Sequence, residues 1–319
     1  MSRGAARSPY LSWLAPALGP AVSADTARGA GREDMVLGYA TGYGRGEVEA
    51  FVRSLRAVHD GPVGLFVDAD PDLRGWLASQ SVEPLDATQQ AGWTPLPVVT
   101  RFADYARLIR SRPTLRNVLL TDVRDVVFQA SPFSPPVTSL EVFVEDEAHA
   151  LGQNVFHLKY LRALAGAEAA ATLADRPCLC AGTIVGPAED IARLCRLILT
   201  LGAIPRSSVG GGFGIDQASL ELAAHQGLIA TDIRPNFSRV ATLGCTLEGV
   251  RVQGDRILNP DGSASPIVHQ YDRHPELMAL VRRLWSADVP DRVRTGPQGL
   301  ARARAKLKAT VSRYMVEFR

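Results

Sequence analysis

The stretch VLLTDVRDVVFQASPF, residues Val118 to Phe133, decides the fold class and holds the first candidate site. Its opening residues, Val118 to Thr121, are apolar or small and run directly into Asp122 and Asp125, with Arg124 between them. A run that is apolar on both faces is typical of a buried strand in a parallel sheet that helices cover. Ligands of such sheets bind in the crevice beyond the carboxyl ends of the strands, so we expect both carboxylates to lie there.

Two carboxylates at a strand end are hard oxygen ligands that suit Mg²⁺ or Mn²⁺, and such a cation would gather the phosphates of a nucleotide. A solvated turn in which Asp125 pairs only with Arg124 is the alternative. The two acids stand three positions apart, and in a straight strand this spacing points side chains to opposite faces. The metal site therefore requires the strand to end at Asp122 and a turn to begin at Val123. Asp125 is then the expected direct ligand, and Asp122 contacts ribose or metal-bound water.

Apolar runs and helical stripes alternate along most of the chain. The predicted strands cover residues 35–40, 63–70, 82–85, 118–122, 140–145, 179–185 and 267–270, and the predicted helices cover 47–59, 72–79, 102–110, 154–175, 188–201, 215–225 and 275–285. Residues 234–261 are typical of hairpins and turns. This pattern predicts one α/β domain with a mostly parallel Rossmann-like sheet flanked by helices and a less regular C-terminal half.

Composition limits the classes of function. The chain has 319 residues, 46% hydrophobic and 21% charged, as in ordinary soluble globular proteins. A net charge of +2 is too small to indicate nucleic acid as a partner. The four cysteines, which are Cys178, Cys180, Cys195 and Cys245, match no common zinc pattern and are expected to be buried free thiols in a reducing cytosol. No apolar segment is long enough to span a bilayer.

Both ends of the chain differ from its centre. Residues 1–34, rich in Ala, Gly, Arg and Ser, indicate an N-terminal arm before a domain that covers residues 35–290. Residues 291–319 are basic, with apolar side chains at helical spacing from Leu300 to Phe318, and indicate a C-terminal helix. This helix either docks on its own domain, which is the more ordinary role, or lies on an anionic membrane surface.

A second candidate segment is SPIVHQYDRHPEL, Ser265 to Leu277. His269 ends a strand, and an imidazole with two carboxylates makes a mixed nitrogen and oxygen set suited to Mn²⁺ or Mg²⁺. Arg273 could clamp a phosphate with its planar guanidinium. His274 precedes Pro275 at a helix start, where an ordinary structural role is expected.

Two segments with glycines complete the set of candidates. In VGGGFGIDQASLE, Val209 to Glu221, glycines before a helix would let backbone N–H groups approach a ligand. Asp216 is either the N-cap of that helix or a residue that orients a sugar or an acceptor. In LCAGTIVG, Leu179 to Gly186, Gly182 and Thr183 would let the chain pass beneath a ligand, although a plain buried strand explains them equally.

These four segments, in this order, resemble glycosyltransferases of the GT-A fold, the nucleotide-diphospho-sugar transferase superfamily. The matching motifs are TDVRD (Thr121 to Asp125), CAGT (Cys180 to Thr183), GIDQ (Gly214 to Gln217) and IVHQYDRH (Ile267 to His274). The family usually spaces its two acids one position closer than this chain does. The resemblance covers residues 35–285 and implies transfer of a sugar from a nucleotide-diphosphate-sugar, most readily a UDP-sugar, to an acceptor hydroxyl with Mn²⁺ or Mg²⁺.

The resemblance also implies a set of site residues. Asp122, Asp125 and His269 would hold the metal, while Asp216, as a general base, and Arg273 would be catalytic. The residues that would contact the donor are Tyr39, Thr41, Gly42, Asp68, Arg101, Asp122, Arg124, Gly182, Thr183 and Gln217. Residues 35–135 would form the nucleotide-binding half and residues 136–290 the half for sugar and acceptor. The late histidine followed by a basic residue is similar to retaining members, so retention is favoured.

The donor and acceptor set the expected location and partners. A nucleotide-sugar donor implies a cytoplasmic enzyme, and the C-terminal helix could add a peripheral contact at the inner face of the membrane. The acceptor would be a glycan, a lipid-linked molecule or a small molecule.

Three other functions stay open. A dinucleotide-dependent oxidoreductase has little support, because Gly42, Gly44 and Gly46 lack the GxGxxG form. A phosphatase with Asp122 as covalent nucleophile would leave His269 unexplained. A non-catalytic module that binds a nucleotide or a glycan could keep every binding residue.

Overall fold

The computed structural model describes Leu18 and residues 32–88, 97–202 and 214–286. Apart from Leu18 and its last three residues, the predicted N-terminal arm lies outside the described residues. So do residues 209–213, which begin the glycine-containing segment Val209 to Glu221, and the whole predicted C-terminal helix.

Twelve strands and seven α-helices form within these described ranges. The strands are β1 Glu33–Tyr39, β2 Val63–Val67, β3 Glu83–Asp86, β4 Leu115–Thr121, β5 Val126–Phe128, β6 Glu141–Ala150, β7 Pro177–Pro187, β8 Asp232–Arg234, β9 Val240–Thr242, β10 Arg251–Gln253, β11 Arg256–Leu258 and β12 Ile267–His269. The helices are α1 Arg45–Arg56, α2 Pro71–Ser79, α3 Pro97–Ser111, α4 Val155–Thr172, α5 Ala188–Gly202, α6 Ile215–His225 and α7 Pro275–Trp285. None of these described helices combines the length and apolarity needed to cross a bilayer.

The main sheet has seven strands in the order β3-β2-β1-β4-β7-β6-β8. Strands β3, β2, β1 and β4 run parallel, and β6 runs parallel to β8. Strand β7 is antiparallel to both of its neighbours, β4 and β6. The protein is therefore a mixed α/β fold with a mostly parallel sheet, as the alternating pattern predicts, and β7 is the reversed strand that the pattern did not reveal.

Both faces of the central strands are buried, as the run from Val118 to Thr121 predicts. Val118 and Leu120 pack on one face in a cluster with residues of α3 and α5. Leu119 packs on the opposite face in a cluster with residues of α1 and α2. The alternation follows from the strand period of two, which sends successive side chains to opposite sides of the sheet.

A second, three-stranded sheet brings distant parts of the chain together, with β12 between β5 and β9. Strand β12 runs antiparallel to β5 and parallel to β9. In this register His269 lies opposite Val126, the residue after Asp125. The small sheet thus carries the late histidine to the turn that follows β4. Strands β10 and β11 form a separate antiparallel hairpin within the region predicted as hairpins and turns.

Several predicted boundaries were wrong by a few residues. Strand β1 begins at Glu33, inside the predicted arm, and α3 begins at Pro97 rather than at residue 102. Strand β6 continues past residue 145 to Ala150 because its polar end still pairs with β7. Helix α4 ends at Thr172 and is interrupted at Gly166, which has a φ of 87°. Glycine adopts this positive φ readily because it has no Cβ atom. All four cysteines are free thiols, as predicted. Cys245, however, is exposed, although the prediction was that all four are buried.

Candidate metal centre

The loop after β4 places both acids on the same side of the chain. Strand β4 ends at Thr121, so Asp122 is the first residue beyond it, and β5 begins at Val126. Asp122 Oδ2 lies 3.7 Å and Asp125 Oδ2 3.8 Å from Nε2 of His269. The predicted turn is thus confirmed. The sequence predicted Asp125 as the direct ligand and Asp122 as a contact of ribose or metal-bound water. The distances do not distinguish these two roles, since both carboxylates are equally close to the imidazole.

Contacts with the turn after β12 hold this loop. The Gln270 backbone N–H donates to the Asp125 carbonyl at 2.7 Å. The Tyr271 hydroxyl donates to the Arg124 carbonyl at 3.1 Å, and the Arg124 guanidinium donates to Asp272 at 2.9 Å. Arg124 therefore pairs with Asp272, whereas in the alternative of a solvated turn it would pair with Asp125.

The three side chains converge on one point. One ligand atom each from Asp122, Asp125 and His269 lie within 4.8 Å of one another. The imidazole is 1% exposed, and its Nε2 has no hydrogen-bond partner among the described residues. A buried polar nitrogen without a partner is costly unless a ligand satisfies it. One nitrogen and two carboxylate oxygens form a donor set that could hold a divalent metal ion such as Mn²⁺ or Mg²⁺.

The charges of the cluster depend on one another. Burial raises the pKa of Asp122, but Arg101 and His269 outweigh it and lower that pKa to about 2. Burial, reinforced by the charge of Asp122, raises the pKa of Asp125 against the opposing effect of His269. Burial lowers the pKa of His269, but Cys180, Asp122 and Asp125 together raise it well above 6.5. The raised pKa favours the protonated imidazole, whose charge is opposite to that of the two carboxylates.

We predict that metal binding depends on pH, because the imidazole of His269 can carry a proton on Nε2. Below the pKa of His269 a proton occupies Nε2, the atom that a cation needs, so binding releases it. Because that pKa is raised, the competition persists above pH 6.5 and fades as the pH rises through the raised value. We expect the Kd for Mn²⁺, measured by calorimetry, to fall about tenfold per pH unit in the acidic part of this window. A Kd that does not change with pH would contradict the assignment of His269.

Gly182 on β7 forms the floor of the cluster. A Cβ atom at this position would lie 2.5 Å from Cε1 of His269 and 2.8 Å from Oδ2 of Asp122. The Asp122 backbone N–H donates to the Gly182 carbonyl at 2.7 Å, so β7 cannot simply move away. The missing side chain keeps open the space between the imidazole and the carboxylate.

Gly182→Ala is therefore expected to weaken Mn²⁺ binding by at least the roughly tenfold to hundredfold effect of disturbing the supports of a metal ligand. The added methyl group must displace His269 or Asp122, because real Cβ atoms do not approach other atoms to 2.5 Å. Gly75→Ala is the matched control, since a Cβ there meets nothing within 4 Å in helix α2. Calorimetric titration of both variants checks the prediction, and equal affinities in the two would refute it.

Arg101 on α3 joins the cluster to helix α6. Its Nη1 donates to Asp122 Oδ1 at 2.6 Å, and its Nη2 donates to Asp216 Oδ2 at 2.6 Å. Nη2 also lies 3.3 Å from the Ala181 carbonyl oxygen of β7. The second oxygen of Asp122 remains directed at His269. Arg101 thus orients Asp122 and ties Asp216 to the same site.

The interpretation of Asp216 as an N-cap was wrong. The N-cap of α6 is Gly214, which has a φ of 100°, and Asp216 lies in the first turn. Its carboxylate pairs with Arg101. Burial raises the pKa of Asp216, although the positive charge of Arg101 opposes this effect.

Four residues that were predicted to contact the nucleotide lie at the carboxyl ends of β1 and β2. Strand β1 is the neighbour of β4 in the sheet, and β2 is the next strand beyond β1. The Tyr39 ring stacks on Phe66 with centroids 5.6 Å apart, and its hydroxyl donates to Asp104 at 3.1 Å. Thr41 is half-buried in the turn after β1. In that turn the Gly42 N–H donates to Oδ2 of Asp68 at 2.8 Å.

Two other predicted residues have different surroundings. Thr183 lies opposite Thr121, and its buried hydroxyl has no hydrogen-bond partner among the described residues. Nε2 of Gln217 lies 2.7 Å from Glu145 Oε2 and 2.9 Å from the Leu179 carbonyl oxygen, in a buried polar network apart from the metal cluster. His157 also contacts this amide, at 3.1 Å.

Arg273 and His274, four and five positions after His269, have different surroundings. Arg273 is exposed in the turn that follows β12, and no described residue accepts a hydrogen bond from its guanidinium. His274 contacts the Leu243 carbonyl through Nε2 at 2.7 Å, so its predicted structural role is confirmed.

Sequence reasoning missed three buried polar residues around the site. Asp104 accepts hydrogen bonds from Tyr39 and Thr88. His157 and Glu221 form a buried pair between α4 and α6 beside Gln217. Both partners sit at ordinary helical positions, so no local motif marked them.

The chain matches no family model, and no curated protein matches its sequence. The chemistry of the site therefore carries the functional assignment.

Proposed function

We propose that this protein is a divalent-metal-dependent glycosyltransferase of the GT-A type that moves a sugar from a nucleotide-diphosphate-sugar to an acceptor hydroxyl. A UDP-sugar is the favoured donor. The convergence of Asp122, Asp125 and His269 within 4.8 Å, beyond the carboxyl end of β4, is the observation that carries this proposal. Sheets of this kind bind their ligands at that edge.

The leaving group in such a reaction is a nucleoside diphosphate. A bound cation would neutralise part of its negative charge as the bond to the anomeric carbon loosens. Arg273 follows His269 by one short turn and presents an exposed guanidinium, whose planar donors match phosphate oxygens. Asp122 and Asp125 would hold the cation, while Arg101 keeps Asp122 ionised and oriented.

The arrangement of Asp216 favours a retaining reaction. A general base must take a proton from the acceptor, but the Asp216 carboxylate is already held by Arg101 at 2.6 Å. The positive charge of Arg101 opposes the effect of burial on the pKa of Asp216, so the carboxylate is a weaker proton acceptor than an unpaired carboxylate at the same buried position. We therefore assign Asp216 to orientation of the transferred sugar and keep its role as a base for an inverting reaction as the second choice.

The remaining predicted contacts fit the nucleotide side of the donor. Tyr39, Thr41 and Gly42 border the carboxyl end of β1, and Asp68 follows β2. We assign Asp68, whose carboxylate accepts the Gly42 N–H, to contact with a ribose hydroxyl. Gly182 and Thr183 would lie beneath the sugar, and a Cβ atom at residue 182 would collide with His269 and Asp122.

A donor-turnover assay tests the proposal. The purified protein is incubated with a panel of nucleotide-sugars and Mn²⁺, with glycan, lipid-linked and small-molecule acceptors, and free nucleoside diphosphate is measured with and without EDTA. Release that EDTA abolishes supports the transferase. Release of inorganic phosphate would favour the phosphatase with Asp122 as nucleophile, and donor binding without release would favour a non-catalytic module.

A further inference from the structure

The second ring nitrogen of His269 faces a thiol. Nδ1 lies 3.6 Å from Sγ of Cys180 on β7, within hydrogen-bond range for sulfur. Cys180 is 3% exposed, and the imidazole is buried beside it. No other described residue makes a hydrogen bond to Nδ1, so this contact is the one that can fix the proton on Nδ1.

Metal-ligating histidines usually donate their free ring N–H to a carboxylate, a carbonyl or water. Such a partner sets which nitrogen keeps its proton and which one offers its lone pair to the cation. At His269 the partner is instead the thiol of Cys180. A thiol is a weak acceptor, and it places no further negative charge beside the two aspartates.

The position of Cys180 in the fold explains why it reaches the ring. It precedes Gly182 by two residues on β7, so the same strand that opens the space at Nε2 also supports Nδ1. The imidazole is thus held between the Cys180 thiol on one side and the two carboxylates on the other.

We propose that Cys180 is a positioning residue of the metal centre, where its Sγ accepts the Nδ1 proton of His269 and thereby directs the Nε2 lone pair at the cation. This inference rests on the metal centre of the proposed function. We assign Cys180 no direct bond to the metal, because its Sγ contacts Nδ1 and not Nε2, the nitrogen that faces the two carboxylates.

Two variants at this position test the inference through metal affinity and not through turnover. Cys180→Ser shortens the side chain, since a C–O bond is shorter than a C–S bond, and so moves the acceptor away from Nδ1. Cys180→Ala removes the acceptor and adds no polar atom, which keeps the test available if the serine variant folds poorly. In both we expect the Kd for Mn²⁺, measured by calorimetry, to rise about tenfold to a hundredfold.

Cys178→Ala is the matched control. It removes another fully buried thiol from the same strand, where Sγ contacts the His149 carbonyl and not His269. We expect this variant to keep the wild-type Kd while it loses thermal stability to a similar extent as Cys180→Ala.

The outcomes separate the inference from the function on which it rests. An unchanged Kd in both Cys180 variants would overturn the positioning role alone, and so would an equal loss in Cys178→Ala. Wild-type protein that binds no Mn²⁺ would overturn the proposed function and this inference together. Wild-type protein that binds Mn²⁺ but releases no nucleoside diphosphate would overturn the transferase only, and the Cys180 result would still stand.

Discussion

Replacement of His269 by alanine is expected to abolish metal-dependent turnover and to weaken Mn²⁺ binding beyond the tenfold to hundredfold loss typical of supporting residues. The variant removes the one nitrogen of the cluster and leaves two carboxylates that repel each other. Asp125→Asn is expected to act in the same direction, because it keeps the shape of the side chain and removes its charge. Calorimetry gives the affinity, and release of nucleoside diphosphate from the donor gives the turnover.

The imidazole of His269 is buried, so loss of activity alone would not distinguish a lost ligand from a damaged fold. Asp125→Asn answers this difficulty, because the side chain of Asp125 is partly exposed and its substitution leaves no cavity. His274→Ala is the control for a missing imidazole, since the imidazole of His274 makes its hydrogen bond within the described part of the chain to the Leu243 carbonyl and not to the metal cluster. Near-normal Mn²⁺-dependent rates in either His269→Ala or Asp125→Asn would remove that residue from the metal centre.

The elements of this fold were largely predictable because they depend on local patterns. The apolar run from Val118 to Thr121 must be buried on both faces wherever it lies, and the structure buries it so. Asp122 and Asp125 are three positions apart, so their side chains could not lie on the same side of a straight strand. A metal site between them therefore required the observed turn. His269 was predictable as a candidate because it ends a short buried strand.

The arrangement between elements was not predictable in the same way. Arg101 and Asp216 are separated by 115 positions, and no local pattern relates a residue in the second turn of α3 to the first turn of α6. The reversed direction of β7 is likewise a property of strand pairing, because an apolar run has the same composition in both directions. Cys180 belongs to the CAGT motif, whose small residues suggest only a close approach of the chain, whereas its contact with His269 arises from the packing of β12 near β7.

Arg101→Met is expected to lower the free energy of unfolding by about 3 kcal/mol, the lower end for breaking a buried ion pair. The variant keeps an apolar side chain of similar length but leaves Asp216, 7% exposed, without its partner. The contribution of Asp122 is smaller, because its side chain is 37% exposed and water screens its charge. Urea denaturation at neutral pH measures the change.

Arg112→Met provides the matched control, since Arg112 pairs with Glu83 at the surface at 2.6 Å. An exposed pair of this kind contributes at most about 1 kcal/mol, so we expect a clearly smaller loss.

The effect of Arg101 should also depend on pH in a defined direction. The pKa of Asp122 is lowered to about 2 in the folded protein, so its stabilising pair is present above its unfolded pKa of about 3.9 and is lost as the pH falls toward 2.

Removal of the buried charge completes the test. If Asp216 is destabilising only when it is unpaired, then Asp216→Asn added to Arg101→Met should recover much of the lost stability, because a neutral amide costs less to bury than a carboxylate. Added to the wild-type protein, the same Asp216→Asn change should instead be destabilising, since it removes a charged partner of Arg101. Equal effects in the two backgrounds would mean that Arg101 and Asp216 are not energetically coupled. The link between the metal cluster and helix α6 would then have no energetic basis.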